Sequence, residues 1–205
     1  MLDIFVIASF IGTVAFALSG FLIGASKKMD WMGVFILAML TANGGGVIRD
    51  VLVNQTPKLL TDLSGFFIVV VVFIVALVFK LGRSAKIEKS RLFVLSDALG
   101  LVAFSMTGAL VGVEAELNAF GVVVLAFITA AGGGIIRDVL VNEVPALFSS
   151  DFYGSVAILA GLGVYFLHYF NVANNLTLAA LLAGALALRL CAYVFKWKLP
   201  RISGN

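Results

Sequence analysis

Apolar residues run along this chain in long, nearly unbroken blocks, punctuated at short intervals by charges and turn residues. Seven blocks stand out: about Leu2–Ala25, Trp31–Val53, Leu59–Phe79, Leu92–Val113, Ala119–Val141, Phe152–Phe170 and Leu176–Phe195. Each approaches the roughly 20 residues that an α-helix needs to cross the hydrocarbon core of a bilayer. Their interruptions are mostly small residues, which membrane helices tolerate better than soluble ones. The pattern predicts an all-α polytopic membrane protein with seven transmembrane helices and no sizeable domain outside the bilayer. The first block lacks a basic leader and has a counterpart later in the chain, so it reads as a mature helix rather than a signal peptide.

Composition agrees. Of the 205 residues 62% are hydrophobic and 12% charged, with a mean hydropathy of +1.14, where a soluble domain carries roughly 25% charge. So little polar surface cannot cover a water-facing globule. The single His and single Cys make a zinc or haem site built from those ligands improbable, and no cofactor is expected. Cys191 has no intrachain disulfide partner. The net charge of +3 sits in short loops rather than in a patch, so it bears on topology and not on nucleic acid.

Arg49, Arg137 and Arg189 lie within apolar blocks; the other basic residues decide orientation. Seven spans place Lys27, Lys28, Lys80, Arg83, Lys86, Lys89, Arg91, Lys196, Lys198 and Arg201 on one side and Lys58 alone on the other. By the positive-inside rule the first side is cytoplasmic, so the N-terminus is outside and the C-terminus inside, as for the inner membrane of a cell. Trp31, Tyr165, Tyr169 and Trp197 fall near span ends and read as interfacial anchors, and His168 as an interfacial residue. Asp3, Asp62, Glu114 and Glu116 give the outer loops an acidic balance against Lys58.

The most informative feature is internal. Residues 44–57, GGGVIRDVLVNQTP, recur 88 residues later as GGGIIRDVLVNEVP, with eleven of fourteen positions identical. The same offset aligns Gly12, Ala15, Phe16, Gly20, Gly33, Thr41 and Ala42 with Gly100, Ala103, Phe104, Gly108, Gly121, Thr129 and Ala130. The chain therefore divides into a first three-helix repeat (1–81), a basic cytoplasmic linker (82–91), a second repeat (92–171), and a seventh helix with its tail (172–205). An odd number of spans per unit turns the second copy upside down. Inverted repeats commonly hold an ion or substrate path at their interface, beside discontinuous helices.

Spans two and five carry the motif. Each glycine weakens a helix by about 1 kcal/mol relative to alanine, so Gly44–Gly46 and Gly132–Gly134 suggest kinks that line a path. The alternative is close helix packing, since small residues let backbones approach. Thr41, Asn43 and Thr129 offer oxygen atoms beside these points. Arg49-Asp50 and Arg137-Asp138 place charge inside the membrane, where ionisable residues are costly and commonly functional. Adjacent residues on a helix do not face one another, so each Arg is expected to cap carbonyls freed by a kink, to pair with another span, or to snorkel to headgroups. Asp97, near the cytoplasmic start of span four, fits a pore mouth or the interface equally; Arg189 suggests snorkelling or a lipid contact.

A nucleotide-loop reading of the glycines fails, because Arg49 stands where a dinucleotide fingerprint needs glycine and no Gly-Lys-Ser/Thr follows. No nucleophile–base pair points to an enzyme. With two copies of GGG-x-I-R-D-V-L-V-N-x-x-P, three-plus-three-plus-one spans and an outward N-terminus, the chain resembles the prokaryotic TRIC (trimeric intracellular cation) channels, which overlap a group of membrane proteins labelled by a glycine-transporter domain. The resemblance covers nearly the whole chain. It implies a homotrimer among membrane lipids, a pore in each protomer, kinks at Gly44–Gly46 and Gly132–Gly134, and passage of potassium and sodium with no resident metal. It maps family function onto those glycines with Arg49, Asp50, Arg137 and Asp138. Nothing matches the lysine-containing hinge of the animal relatives, so their voltage or calcium gating does not carry over. Two other readings stay open: a carrier for a small amphoteric solute such as glycine, and a scaffold whose glycines only pack.

Overall fold

The computed structural model describes residues 4–82, 90–149 and 152–197. Asp3 and the basic residues Arg83, Lys86, Lys89, Lys198 and Arg201 lie outside the described residues. The described elements are all helices: α1 (Ile4–Ser26), α2 (Trp31–Leu52), α3 (Lys58–Thr61), α4 (Ser64–Val78), α5 (Arg91–Glu114), α6 (Ala119–Leu140), α7 (Ala146–Ser149), α8 (Tyr153–Tyr169) and α9 (Asn175–Val194). Five of them, α1, α2, α5, α6 and α9, are long and apolar enough to cross a membrane, while α4 and α8 are apolar but shorter, at 15 and 17 residues. The protein is a multi-pass helical membrane protein.

The block read as span three is divided. Asp62 accepts hydrogen bonds from the backbone N–H and the hydroxyl of Ser64, both at 2.8 Å. This side-chain turn competes with helix locally, and so α3 ends before α4 begins.

The duplication is written into the helix ends. Asp30 and Asn118, 88 residues apart, each accept from the N–H three residues on, at Gly33 and Gly121. Such caps satisfy one of the donors orphaned at a helix start. At the other end of the same helices, Asn54 (φ 57°) and Asn142 (φ 58°) take the left-handed conformation in which asparagine is tolerated just past a C-terminus.

The two copies meet through reciprocal contacts. Phe16 of α1 and Phe104 of α5 stack edge-on at 5.3 Å; Phe104 lies against Gly12, and Phe16 against Gly100. Gly45 of α2 abuts Thr129 of α6, and Gly133 of α6 abuts Thr41 of α2. Contacts that run in opposite senses along the two helices of each pair mean that the helices are antiparallel. The loops agree: Lys27, after α1, pairs with Glu143, after α6. Two copies facing the same way would bring the start of α1, not its end, to Glu143.

Both triple glycines lie inside unbroken α-helix, so neither helix has an unwound turn there. Their work is at the surface. A Cβ on Gly45 would stand 2.1 Å from the carbonyl oxygen of Thr129, and one on Gly133 would stand 2.1 Å from that of Thr41. Two helix backbones cross here in direct contact, which only glycine permits.

Candidate functional site

Each glycine of the motif has its own neighbour. Gly44 and Gly132 receive Ile136 and Ile48 from the opposite copy, Gly45 and Gly133 form the crossing, and Gly46 and Gly134 lie under the guanidinium three residues ahead. Helical side chains lean toward the N-terminus over the preceding turn. The third glycine leaves that turn bare, and the Arg folds back along it.

The folded-back Arg then meets its own neighbour. Arg49 donates from Nε (2.8 Å) and Nη2 (2.7 Å) to Oδ1 of Asp50, and Arg137 donates from Nε to Oδ1 of Asp138 at 2.8 Å. This corrects the expectation that adjacent helix residues do not pair: an arginine long enough to curl back reaches the next carboxylate when both are buried. Each Asp has a second task. Asp50 Oδ2 accepts from the N–H of Lys58 (2.9 Å) and Asp138 Oδ2 from that of Ala146 (2.8 Å), fastening the short helices α3 and α7.

Beyond this shared design the two ends diverge. Arg137, 1% exposed, also donates from Nη1 to Asp97 Oδ1 at 2.8 Å and to the Ser19 hydroxyl, and stands 5.0 Å over the Phe93 ring. Asp97 is therefore neither at an interface nor in an open mouth; it is a buried ion-pair partner, drawn inward by Arg137. Among the described residues Arg49 has one ion-pair partner, Asp50. Arg49 faces instead a cavity of about 320 Å³, lined also by Ser9, Asp50, Lys58, Asp62 and Ser64. Within it Asp62, in the α3–α4 turn, has its carboxyl held below the usual aspartate pKa by the two Ser64 hydrogen bonds.

Asn43 lines this cavity, and its amide nitrogen donates to Met39 O at 3.0 Å. Thr41 and Thr129 lie at the crossing, fully buried, and their hydroxyls donate at 2.6 Å to Leu37 O and Leu125 O of their own helices. What these threonines present to the opposite copy is the backbone carbonyl.

Two contributors, Ser19 and Tyr153, escaped the sequence reading, and a third, Arg189, is corrected by the structure. Ser19 carries no signal beyond being a small polar residue in an apolar block. Arg189 is 6% exposed, with its guanidinium 4.8 Å over the Tyr153 ring; it neither snorkels nor faces lipid, because Tyr153 offers it an aromatic face inside the protein. Tyr153, 3% exposed, begins α8 at the position that Ser64 holds in α4.

These features define a helical membrane protein built from two copies of one unit, crossed at duplicated glycines and carrying a buried Arg–Asp pair in each copy. The chain belongs to the family whose model is described as glycine transporter, which matches twice, over residues 6–83 and 94–169, once per copy. It is 35% identical over 195 residues to the UPF0126 membrane protein YvgT of Bacillus subtilis, covering 95% of both chains. It is 32% identical over 192 residues to the UPF0126 inner membrane protein YadS of Escherichia coli K12, covering 93% of this chain and 92% of that one. Among solved structures it is similar to a prokaryotic TRIC channel crystallised in 0.5 M KCl, with a TM-score of 0.87, 32% identity, and coverage of 97% of this chain and 100% of that one. The TRIC trimeric intracellular cation channel orthologue from Rhodobacter sphaeroides matches with a TM-score of 0.84 and 28% identity, over 94% of this chain and 98% of that one.

Proposed function

We propose that this protein is a monovalent-cation channel, passing potassium and also sodium, with a path inside each protomer between the two repeats. It assembles as a homotrimer in the inner membrane, N-terminus outside and C-terminus cytoplasmic. The observation that carries the reading is the cavity at Arg49–Asp50, whose largely apolar wall holds a cluster of polar and charged side chains, set beside the crossing of two inverted copies in a fold shared with prokaryotic TRIC channels.

Chemically, the cavity offers hydroxyl, amide and carboxylate oxygens from Ser9, Asn43, Ser64 and Asp62, the donors that replace a cation's water at modest cost. Arg49–Asp50 is neutral as a unit and gives the wall a polar face without trapping the ion. Past it, the route meets the contact of Gly45 with Thr129 and of Gly133 with Thr41. Bending α2 and α6 at their glycines parts that contact and exposes the two threonine carbonyls, so conduction needs a kinked state of the same helices.

The test is electrical. Purified trimer in a planar bilayer under a potassium chloride gradient should give unitary currents reversing toward the potassium potential, with sodium also carried. Silent bilayers from folded protein, or reversal toward chloride, overturn the proposal. The cavity's mixed charges also suit a small zwitterion. Saturable glycine uptake into proteoliposomes without unitary current is the outcome that selects the carrier. Cross-linking in native membranes checks the trimer, and impermeant labelling of cysteines placed at each terminus checks orientation.

A further inference from the structure

The two copies have the same helices and the same Arg–Asp pair, yet Arg49 borders a cavity whereas Arg137 is enclosed by side chains. The cause lies at a few positions where the repeat is not a repeat. Along α1 and α5 the 88-residue offset sets Ser9 against Asp97 and Thr13 against Leu101. After the motif the copies slip by one residue, aligning Asp62-Leu63-Ser64-Gly65 with Asp151-Phe152-Tyr153-Gly154. Ser64 and Tyr153 are accordingly each the first residue of their helix, α4 and α8.

Ser9, Thr13 and Ser64 all line the cavity beside Arg49. Their counterparts in the second copy are buried: Asp97 is 5% exposed, Leu101 0% and Tyr153 3%. Asp97 binds Arg137 directly. Tyr153 packs with Leu101, lies under Arg189, and brings its hydroxyl over Gly134, the bare turn along which Arg137 folds. That hydroxyl has no hydrogen-bond partner among the described residues, so the ring's bulk, not a bond, is what Tyr153 contributes.

We infer that Asp97 and Tyr153 are positioning residues that hold Arg137 across the path, closing the protein at that end alone, while Ser9 and Ser64 keep the other end open. The inference takes the path itself from the channel reading. It adds that the closure is transferable: the residues that seal one copy seal the other when moved to the equivalent sites.

The experiment reads water access by labelling with a cationic, membrane-impermeant methanethiosulfonate in proteoliposomes, on a Cys191→Ser background. Ser9→Cys is expected to label, and to lose labelling when Ser64→Tyr is added. Leu101→Cys is expected not to label, and to gain labelling when Asp97→Ser and Tyr153→Ser are added; Tyr153→Phe, which keeps the ring, leaves it unlabelled. Labelling of Leu101→Cys in the parent, or of Ser9→Cys undiminished by Ser64→Tyr, overturns the inference. Should the Asp97→Ser/Tyr153→Ser protein not fold, the Ser64→Tyr arm decides alone. Labelling does not depend on current, so silent bilayers with the expected labelling refute the channel and leave the one-sided closure standing. In conducting protein, Asp97→Ser raises open probability and Ser64→Tyr lowers it.

Discussion

The α-carbon of Gly45 lies against the carbonyl oxygen of Thr129 so closely that a Cβ there would stand 2.1 Å from it, and Gly133 is related to Thr41 in the same way. In a bilayer, helices gain little from burying apolar side chains against each other, since lipid is equally apolar; association depends on close packing and on polar contacts. This doubled backbone contact is the tightest form of such packing, and the two copies are joined at it.

The crossing predicts a graded response along the glycine motif. Gly45→Ala and Gly133→Ala force two backbones apart, with a cost of at least the about 1–3 kcal/mol typical of overpacking. Gly46→Ala meets only Arg49 Nη2, at 3.8 Å, and is expected to be nearly neutral. Thermal unfolding in detergent, followed by size-exclusion chromatography, orders the three. Equal losses would deny the crossing its special place.

The two arginines should differ in what their loss does. Arg137 is ion-paired with both Asp97 and Asp138, whereas Arg49 is paired with Asp50. Removing one member of a buried ion pair costs about 3–5 kcal/mol, so Arg137→Met, which strands two carboxylates, is the more destabilising. Adding Asp97→Asn to Arg137→Met should recover part of that loss. A double-mutant cycle on the unfolding midpoint measures the coupling.

Acidification should loosen the α3–α4 turn. Asp62 has a folded-state pKa below its unfolded one because Ser64 donates twice to the carboxylate. Its stabilising contribution is therefore complete above the usual aspartate value and is lost as pH falls through the lowered one. Amide exchange at Ser64 should accelerate over that acid range in the natural protein. In Asp62→Ala the protection should be missing at every pH.

The Lys27–Glu143 pair tests the antiparallel arrangement at its rim. Its side chains are 32% and 51% exposed, and exposed pairs contribute only about 0.2–1 kcal/mol. Lys27→Glu should weaken the protein by about that much, and the swap Lys27→Glu with Glu143→Lys should restore it. No restoration in the swap would mean the two turns do not meet.

The layers of this fold differ in how far the chain declares them. The apolar blocks and the 88-residue duplication are explicit, because bilayer thickness and gene duplication both leave periodic marks. The split at Asp62 was legible in principle, since an Asp two residues before a Ser is a turn signal, but the apolar run around it hides the break. The glycine motif announces weakness in a helix and does not announce what leans on it. Here the neighbour is another backbone, and a carbonyl has no signature in sequence. The Arg49–Asp50 contact defeats spacing rules because those rules describe Cβ positions, while an arginine's reach is set by its far end. Asp97 and Tyr153 become meaningful only when each is compared with the small residue facing it across the duplication, Ser9 and Ser64.

Because each buried arginine is cancelled by the residue that follows it, neither motif helix carries a preference for one leaflet. The choice of which way up each half sits is left to the lysines of the turns. Fusing two such units requires only that the loop charges be redistributed, after which the surroundings of the two arginines are free to diverge, as those of Arg49 and Arg137 have.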